Sequence, residues 1–166
     1  MIQRLTPHHA PAYRALMLDA YSKHPHAFTS TPAERSALPL SWWEARVAPG
    51  AEATSIILGA FANDALVGVA GLALQTRTKL AHKAKLFGMY VRPQARRTGL
   101  GQQLVNAVLS EAKQRGVEVV QLTVSQPNHG ARKLYASCGF EYFGTEPLAI
   151  RAGDSYVAKL HLWRHV

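Results

Sequence analysis

The amino-acid sequence predicts a mixed α/β fold, one central sheet with helices covering its faces. Three observations carry this. Hydrophobic periodicity alternates along the chain between helical spacing and short apolar runs, in the order β-α-α-β-β-β-α-β-α-β-β. Turn-forming residues stand where one period gives way to the next, as at Asn63-Asp64, Pro93, Gly116 and Gly139. The 166 residues hold no repeat, low-complexity tract or linker, which fits a single domain over 1–166.

Ile2 to Leu5 opens the chain as a short strand. Thr6-Pro7 reads as a helix start, with threonine as N-cap and proline at the first helical position. Ala12, Leu16 and Ala20, with Tyr13 and Met17, lie along one face of that helix. Ser22 to Pro39 is rich in Ser, Thr, Pro and His, a loop composition with at most one helical turn. Ser41 and Glu44 stand at capping-box spacing before a short helix bearing Trp42, Trp43 and Val47. The apolar runs Ser55–Ala62 and Ala65–Thr76 form a hairpin about Asn63-Asp64. Lys83 to Arg92 is a strand ended by Pro93. Gly99 to Arg115 is the strongest helix, with Leu100, Leu104, Val105, Val108, Leu109 and Ala112 at helical spacing and Gly116 closing it. Val117 to Val124 is a β-branched strand. Asn128 to Ser137 is a helix with Ala131, Leu134 and Tyr135 inward, closed by Gly139. Glu141–Arg151 and Ser155–Trp163 end the chain as two strands joined at Ala152-Gly153-Asp154.

An apolar share of 48% against 17% charged exclude disorder as the dominant state. The 19 Lys+Arg outnumber the 10 Asp+Glu, a formal charge of +9 that favours anionic partners such as phosphate-bearing cofactors, nucleic acid, acidic substrates or anionic lipid. Cys138 is the single cysteine, so no intrachain disulfide forms, in keeping with a reducing compartment. It reads as a small packed residue. The longest apolar run, Ala65–Leu74, is well short of the ~20 residues of a membrane span. The amino terminus lacks an apolar signal-peptide core. These features predict a soluble cytoplasmic protein without a membrane partner. His8-His9 and His24-x-His26 lack zinc-ligand spacing, and no metal is expected.

Val91 to Leu104 reads V-R-P-Q-A-R-R-T-G-L-G-Q-Q-L, a strand feeding a loop that feeds a helix N-terminus. The first helical turn leaves N–H groups unpartnered at the positive end of the helix dipole. Gly99 and Gly101 let an anion approach that backbone, and Arg96 and Arg97 add charge beside it, which makes a polyphosphate cradle. A nucleotide-hydrolysing P-loop is excluded because Gln102 and Gln103, not Lys and Ser/Thr, follow Gly101. A dinucleotide fingerprint fails because its third glycine position is Leu104.

The pattern Arg96-x-x-Gly99-x-Gly101 after a strand resembles the pyrophosphate loop of the GNAT N-acetyltransferase superfamily, which uses acetyl-CoA. Leu122-Thr123-Val124, Asn128, Ala131, Leu134-Tyr135 and Cys138-Gly139-Phe140 are similar to that superfamily's second block, a strand and helix ending in Gly-Phe. The match is specific over about Phe87 to Phe140; the amino-terminal third matches in element order alone. The resemblance implies a mixed, mostly antiparallel sheet splayed between its fourth and fifth strands, Phe87–Val91 and Val119–Val124, with helices on both faces. It implies that pantetheine pairs with backbone groups around Met89, Tyr90 and Val91. It implies that the loop Arg96, Arg97, Thr98, Gly99, Leu100, Gly101 and Gln102 holds the pyrophosphate. Asn128, a natural N-cap, would also touch the coenzyme. Tyr135 matches the tyrosine facing the coenzyme sulfur, where a phenol can protonate the departing thiolate.

An amine acceptor must lose a proton before attack, yet the strand Lys83–Val91 carries no carboxylate. Ala158 and Lys159 stand where relatives often carry acid in the last strand. His82, His161 and Glu34 are the candidates for a base or for positioning water. One of Trp42 and Trp43 belongs in the core, and the other suits an acceptor pocket. The expected function is acetyl transfer from acetyl-CoA to a primary amine of a small molecule or peptide, by direct attack in a ternary complex. The basic balance favours acceptors with a carboxylate or phosphate over polyamines. The alternative is a non-catalytic acyl-CoA-binding sensor, which the missing strand carboxylate favours. Scattered cations without aromatic interleaving argue against a nucleic-acid binder. If the chain assembles, a homodimer is the commonest closed form.

Overall fold

A computed structural model describes residues 1–50 and 52–166. The strands are β1 Ile2–Arg4, β2 Ser55–Ala62, β3 Ala65–Leu74, β4 Lys83–Val91, β5 Val119–Ser125, β6 Glu141–Ala152 and β7 Ser155–His165. The helices are α1 Ala10–Lys23, α2 Pro32–Ser36, α3 Leu40–Val47, α4 Leu100–Gln114 and α5 His129–Ser137. One seven-stranded sheet runs in the order β1-β2-β3-β4-β5-β7-β6. All neighbours are antiparallel except β4 and β5, which are parallel. The predicted mixed α/β class, mostly antiparallel and splayed between the fourth and fifth strands, is the observed one.

Strand alternation sends side chains to two cores, one on each face of the sheet. Ile57, Val69 and Tyr90 meet Tyr13, Leu16 and Met17 of α1 and Trp43 of α3. Ile56, Leu72, Leu86, Val120 and Leu122 meet Leu104, Val105 and Val108 of α4 and Tyr135 of α5. Asn63 and Asp64 make the β2–β3 turn with φ of 47° and 61°, the left-handed pair that a two-residue hairpin requires.

Two features of this sheet place the site. The parallel pairing of β4 and β5 extends only over Lys83–Lys85 and Val119–Gln121. Beyond it the strands part, so the splay starts after Gln121 rather than at Val119. On the other edge of β4, Gly71 pairs with Phe87 and Val69 with Tyr90. Gly88 and Met89 thus oppose Ala70 alone, a bulge in which Gly88 takes φ 58°.

Several local expectations are corrected. Ala12 is exposed; the buried residues of α1 are Ala10, Tyr13, Leu16, Met17, Ala20 and Tyr21. A short 3₁₀ turn, Pro7–His9, precedes that helix, with His9 completing a capping box on Thr6. The Ser41–Glu44 box does not form, because α3 begins at Leu40 after Pro39 and Ser41 already lies inside it. A box forms instead at Thr31 and Glu34, which start α2 within the expected loop. β3 ends at Leu74 rather than Thr76, β5 starts at Val119 rather than Val117, and β7 runs on to His165.

Candidate active site

The parting strands open a cleft of about 670 Å³. Its walls include Leu86–Val91 of β4, Thr123–Ser125 of β5, the loop before α4, and the inward face of α5. The segment Ala27–Ser30 between α1 and α2 also lines it. That segment is tied to β5 where Ser125 Oγ donates to the His26 carbonyl. This carbonyl gives the hydroxyl of Ser125, a buried polar residue, its partner.

At one end lies the glycine loop. Arg97 (φ 61°) and Gly99 (φ 81°) are both left-handed, which turns the chain sharply into α4. The first intrahelical bond runs from Gln103 N to Gly99 O, 3.0 Å. The amides of Leu100, Gly101 and Gln102 therefore precede any helical acceptor. A Cβ built on Gly101 would stand 3.2 Å from Leu134 Cδ2 and 3.5 Å from Met89 Cε. Glycine is thus what lets the first turn of α4 lie so close to α5 and β4.

Of the residues predicted to bind the coenzyme, Met89, Tyr90, Val91, Arg96, Arg97, Gly99, Gly101, Gln102, Asn128 and Tyr135 line this one cleft. Thr98 and Leu100 do not. Thr98 Oγ1 donates back to Ala95 O at 2.8 Å, and Leu100 packs against the core. Arg96 departs from the simple picture of a free charge beside the loop. Its Nε donates to Val91 O at 2.9 Å, Nη2 lies 3.1 Å from His24 Nε2, and its guanidinium covers the Tyr90 ring at 5.6 Å. Arg96 therefore holds the loop onto the end of β4.

Asn128 caps α5, its Oδ1 accepting from Ala131 N at 3.2 Å. Tyr135 is 7% exposed, and its hydroxyl lies 3.6 Å from Met89 Sδ. Burial, and next the neighbouring Cys138 thiol, push the Tyr135 phenol well above its ordinary range, so it stays protonated. Burial likewise pushes the Cys138 thiol up.

None of the predicted base candidates lines the cleft. His82 is exposed, and its backbone carbonyl receives Glu118 N and Val119 N. His161 pairs with Glu146 at 3.1 Å. Glu34 is spent on the α2 cap, where the Thr31 amide holds its carboxyl below the usual range. Among the described residues no carboxylate lines the cleft at all, whereas Arg35, Arg46, Lys85, Arg96, Arg97 and Lys159 do. Burial, then Lys85, pull the Lys159 ammonium below its ordinary value.

Sequence reasoning missed Arg35, Arg46 and His24. They lie in a segment read as loop or on a helix with a misplaced start, and no local pattern marks them. Burial and Arg96 hold His24 below the ordinary histidine value, and Nε2 accepts from Arg96. Trp43 is the core tryptophan, edge-on to Tyr13 at 5.5 Å. Trp42 does not line the cleft itself; the two arginines stacked on it do.

A model of the acetyltransferase (GNAT) family matches residues 12–140. The chain is similar to an acetyltransferase of the GNAT family from Streptococcus pneumoniae, at 22% identity and TM-score 0.89, covering 100% of this chain and 99% of that one. YncA from Salmonella typhimurium, solved with its cofactor acetyl-CoA, aligns at 18% identity and TM-score 0.81 over 99% of this chain and 92% of that one. A ribosomal-protein-alanine N-acetyltransferase from Brucella melitensis aligns at 23% identity and TM-score 0.81, over 100% and 99% of the two chains. An uncharacterised N-acetyltransferase of Methanocaldococcus jannaschii is 38% identical over 58 residues, which is 35% of this chain and 26% of that protein. Among the described residues no helix is long and apolar enough to cross a membrane.

Proposed function

The chain belongs to the acetyltransferase (GNAT) family, and from that premise we propose that it is a single N-acetyltransferase domain moving the acetyl group of acetyl-CoA to a primary amine by direct transfer in a ternary complex. The observation that carries this reading is the cleft between β4 and β5 that ends at the glycine loop of α4. The residues present fit the coenzyme. The unpaired backbone edge of β4 at Met89 suits an extended pantetheine arm. The free amides of Leu100 to Gln102, with Arg97 beside them, suit a pyrophosphate. Gly101 keeps that approach open.

When bound, acetyl-CoA supplies the acetyl group as an activated thioester. Tyr135 is held protonated on the cleft wall and donates its hydrogen bond to the departing sulfur. The proton on the amine is the harder step, because no carboxylate lines the cleft and His24 Nε2 is engaged by Arg96. The cationic wall answers it electrostatically. Arg35, Arg46, Lys85 and Lys159 disfavour a further positive charge, so an ammonium entering among them loses its proton to water more readily than in solution.

A second reading, a non-catalytic acyl-CoA sensor, is favoured by that same lack of a carboxylate. Thiol release in steady state with an amine panel separates the two, since a sensor releases none. Coenzyme binding is tested by calorimetry on Gly101→Val, with Gly101→Ala as the milder variant. Valine at this position crowds Leu134 and Met89 and covers the loop amides, so affinity for acetyl-CoA should fall by more than about tenfold, as expected for losing charge-assisted phosphate contacts, while the circular dichroism spectrum stays that of the parent. Equal affinities would show that the coenzyme does not use this loop.

A further inference from the structure

Two guanidinium groups of the cleft, those of Arg35 and Arg46, stack on one indole and, among the described residues, have no counter-ion. The carbon of Arg35 lies 4.6 Å from the Trp42 ring centroid, and that of Arg46 lies 5.1 Å from the same centroid. The two charges are thus no more than about 10 Å apart, within one Debye length at an ionic strength of about 0.1 M. Among the described residues neither forms an ion pair. Arg35 Nε donates to Ser30 Oγ at 2.9 Å, and Arg46 Nε to Tyr13 Oη at 3.4 Å. Both residues line the cleft. Like charges brought together in a partly desolvated wall repel, and a stacked guanidinium keeps its N–H edge free for two-point bonding to a carboxylate or phosphate.

The position is as informative as the charge. Arg46 also covers the Phe87 ring, at 5.0 Å, and Phe87 directly precedes the Gly88 bulge where β4 turns away from β5. Tyr13, Tyr21 and Phe28 line the same part of the cleft and give it an apolar wall. None of these residues belongs to the glycine loop, so the pair is separate from the surface assigned to the coenzyme.

We propose that Arg35 and Arg46 form an anion subsite for the acceptor: the amine that is acetylated carries a carboxylate, phosphonate or phosphate in the same molecule, and this pair binds it beside the bulge of β4. The proposal rests on the acetyltransferase reading and names its substrate class. Lys85 and Lys159 add positive potential along the same cleft, and no carboxylate opposes it.

The test uses a panel of L-amino acids with their carboxamides, aminoalkyl phosphonates, amino sugar phosphates and spermidine. Each is assayed for thiol release with acetyl-CoA, and for equilibrium binding to the protein with and without coenzyme A. Anionic amines should bind, and should exceed their neutral or cationic counterparts at least tenfold in kcat/KM. The carboxylate and phosphate arms tell which anion is preferred. Arg35→Gln and Arg46→Gln should each lower kcat/KM for anionic amines by about 10- to 100-fold, chiefly through KM, and erase the acid–amide difference. Arg46→Lys should restore only part of it, because the charge returns without the fork. Melting curves identify a variant that merely loses packing on Trp42, and a structural role would leave the acid–amide difference intact. The proposal is overturned if acids and amides perform alike, if spermidine exceeds every anionic amine, if no anionic amine binds, or if the difference survives both glutamine variants. Failure of the acetyltransferase reading itself has a separate signature: the parent protein either does not bind acetyl-CoA or binds it and releases no thiol with any amine, whatever the equilibrium binding of the anionic amines shows.

Discussion

Tyr135 sits where three physical demands meet. Its ring packs edge-on to Phe140 at 5.9 Å, its hydroxyl has, among the described residues, only the Met89 thioether as partner, and it borders the cleft. An ordinary phenol near pKa ~10 is a weaker acid than a thiol near ~8.5, so full proton transfer to a thiolate is uphill in water. In the cleft the same desolvation that raises the phenol also raises any thiolate beside it, as it raises Cys138. Hydrogen-bond donation to the developing thiolate is then favourable without an acidic tyrosine. Tyr135→Phe keeps the ring and discards the donor. Single-turnover kinetics should show a fall of roughly 10²–10⁴-fold, with the acetyl-CoA dissociation constant and the melting temperature nearly unchanged. An unaltered single-turnover rate on the best acceptor would leave Tyr135 with a packing role only.

Among the elements, α5 is a short helix that, with its N-cap, carries two residues of the cleft, Asn128 and Tyr135. It spans nine residues, below the length at which an isolated helix holds together, so its cap and its packing carry it. The Asn128 side chain satisfies the Ala131 amide, and the same residue lines the cleft. Asn128→Ala should cost about 1 kcal/mol of stability, as for caps generally, read from the urea midpoint. Asn128→Asp should retain most of it, because aspartate caps equally well. If the alanine variant unfolds at the parent's midpoint, the cap contributes nothing. The contrast with α3 is instructive. Ser41 has the right residue type and spacing for a cap, but Pro39 sets an extended backbone one residue before Leu40 and the helix starts ahead of Ser41.

Across the whole molecule, the end of α1 is fastened to β4 and the glycine loop by two titrating groups. Asp19 pairs with Lys23 at 2.8 Å and accepts from Tyr90 Oη at 3.2 Å and Arg92 Nη1 at 3.4 Å. The Lys23 hydrogen bond foremost holds the Asp19 carboxyl below its ordinary 3.8, against partial desolvation. His24 faces Arg96, Asp19, Lys23 and the Tyr90 ring, and burial foremost holds it below its ordinary 6.5. Both folded values are depressed, so both contributions are complete at high pH and fade on acidification. His24 weakens the fold as pH falls from about 6.5, where the unfolded chain starts to take up the proton; Asp19 does so below about 3.8. Melting temperatures between pH 7.5 and 5 should therefore drop less in His24→Gln than in the parent, and Asp19→Asn should flatten the profile only when it is extended below about pH 3.8. Parallel profiles in that upper range would remove His24 from the coupling.

The sequence by itself determined the order of the strands and of every helix but α2, the hairpin at Asn63-Asp64, the glycine loop and the cap at Asn128, because each depends on contacts within a few residues. Left-handed turns favour Asn, Asp or Gly, a first helical turn needs acceptors or an anion, and a helix face needs its period. The cradle residues Gly99 and Gly101 were legible for that reason, and the family resemblance rested on them. Tertiary structure decided what depends on separation in sequence. It directed Arg96 back onto Val91 and His24 instead of outward, drew His82, His161 and Glu34 away from the cleft, and buried Trp43 while leaving Trp42 as a platform. It brought Arg35, Arg46, Lys85 and Lys159 from α2, α3, β4 and β7 to one cleft. An isolated arginine in a loop or short helix carries no local signature of this. Its electrostatic meaning arises only when the sheet parts between β4 and β5 and sets it in a partly dry cleft without a carboxylate.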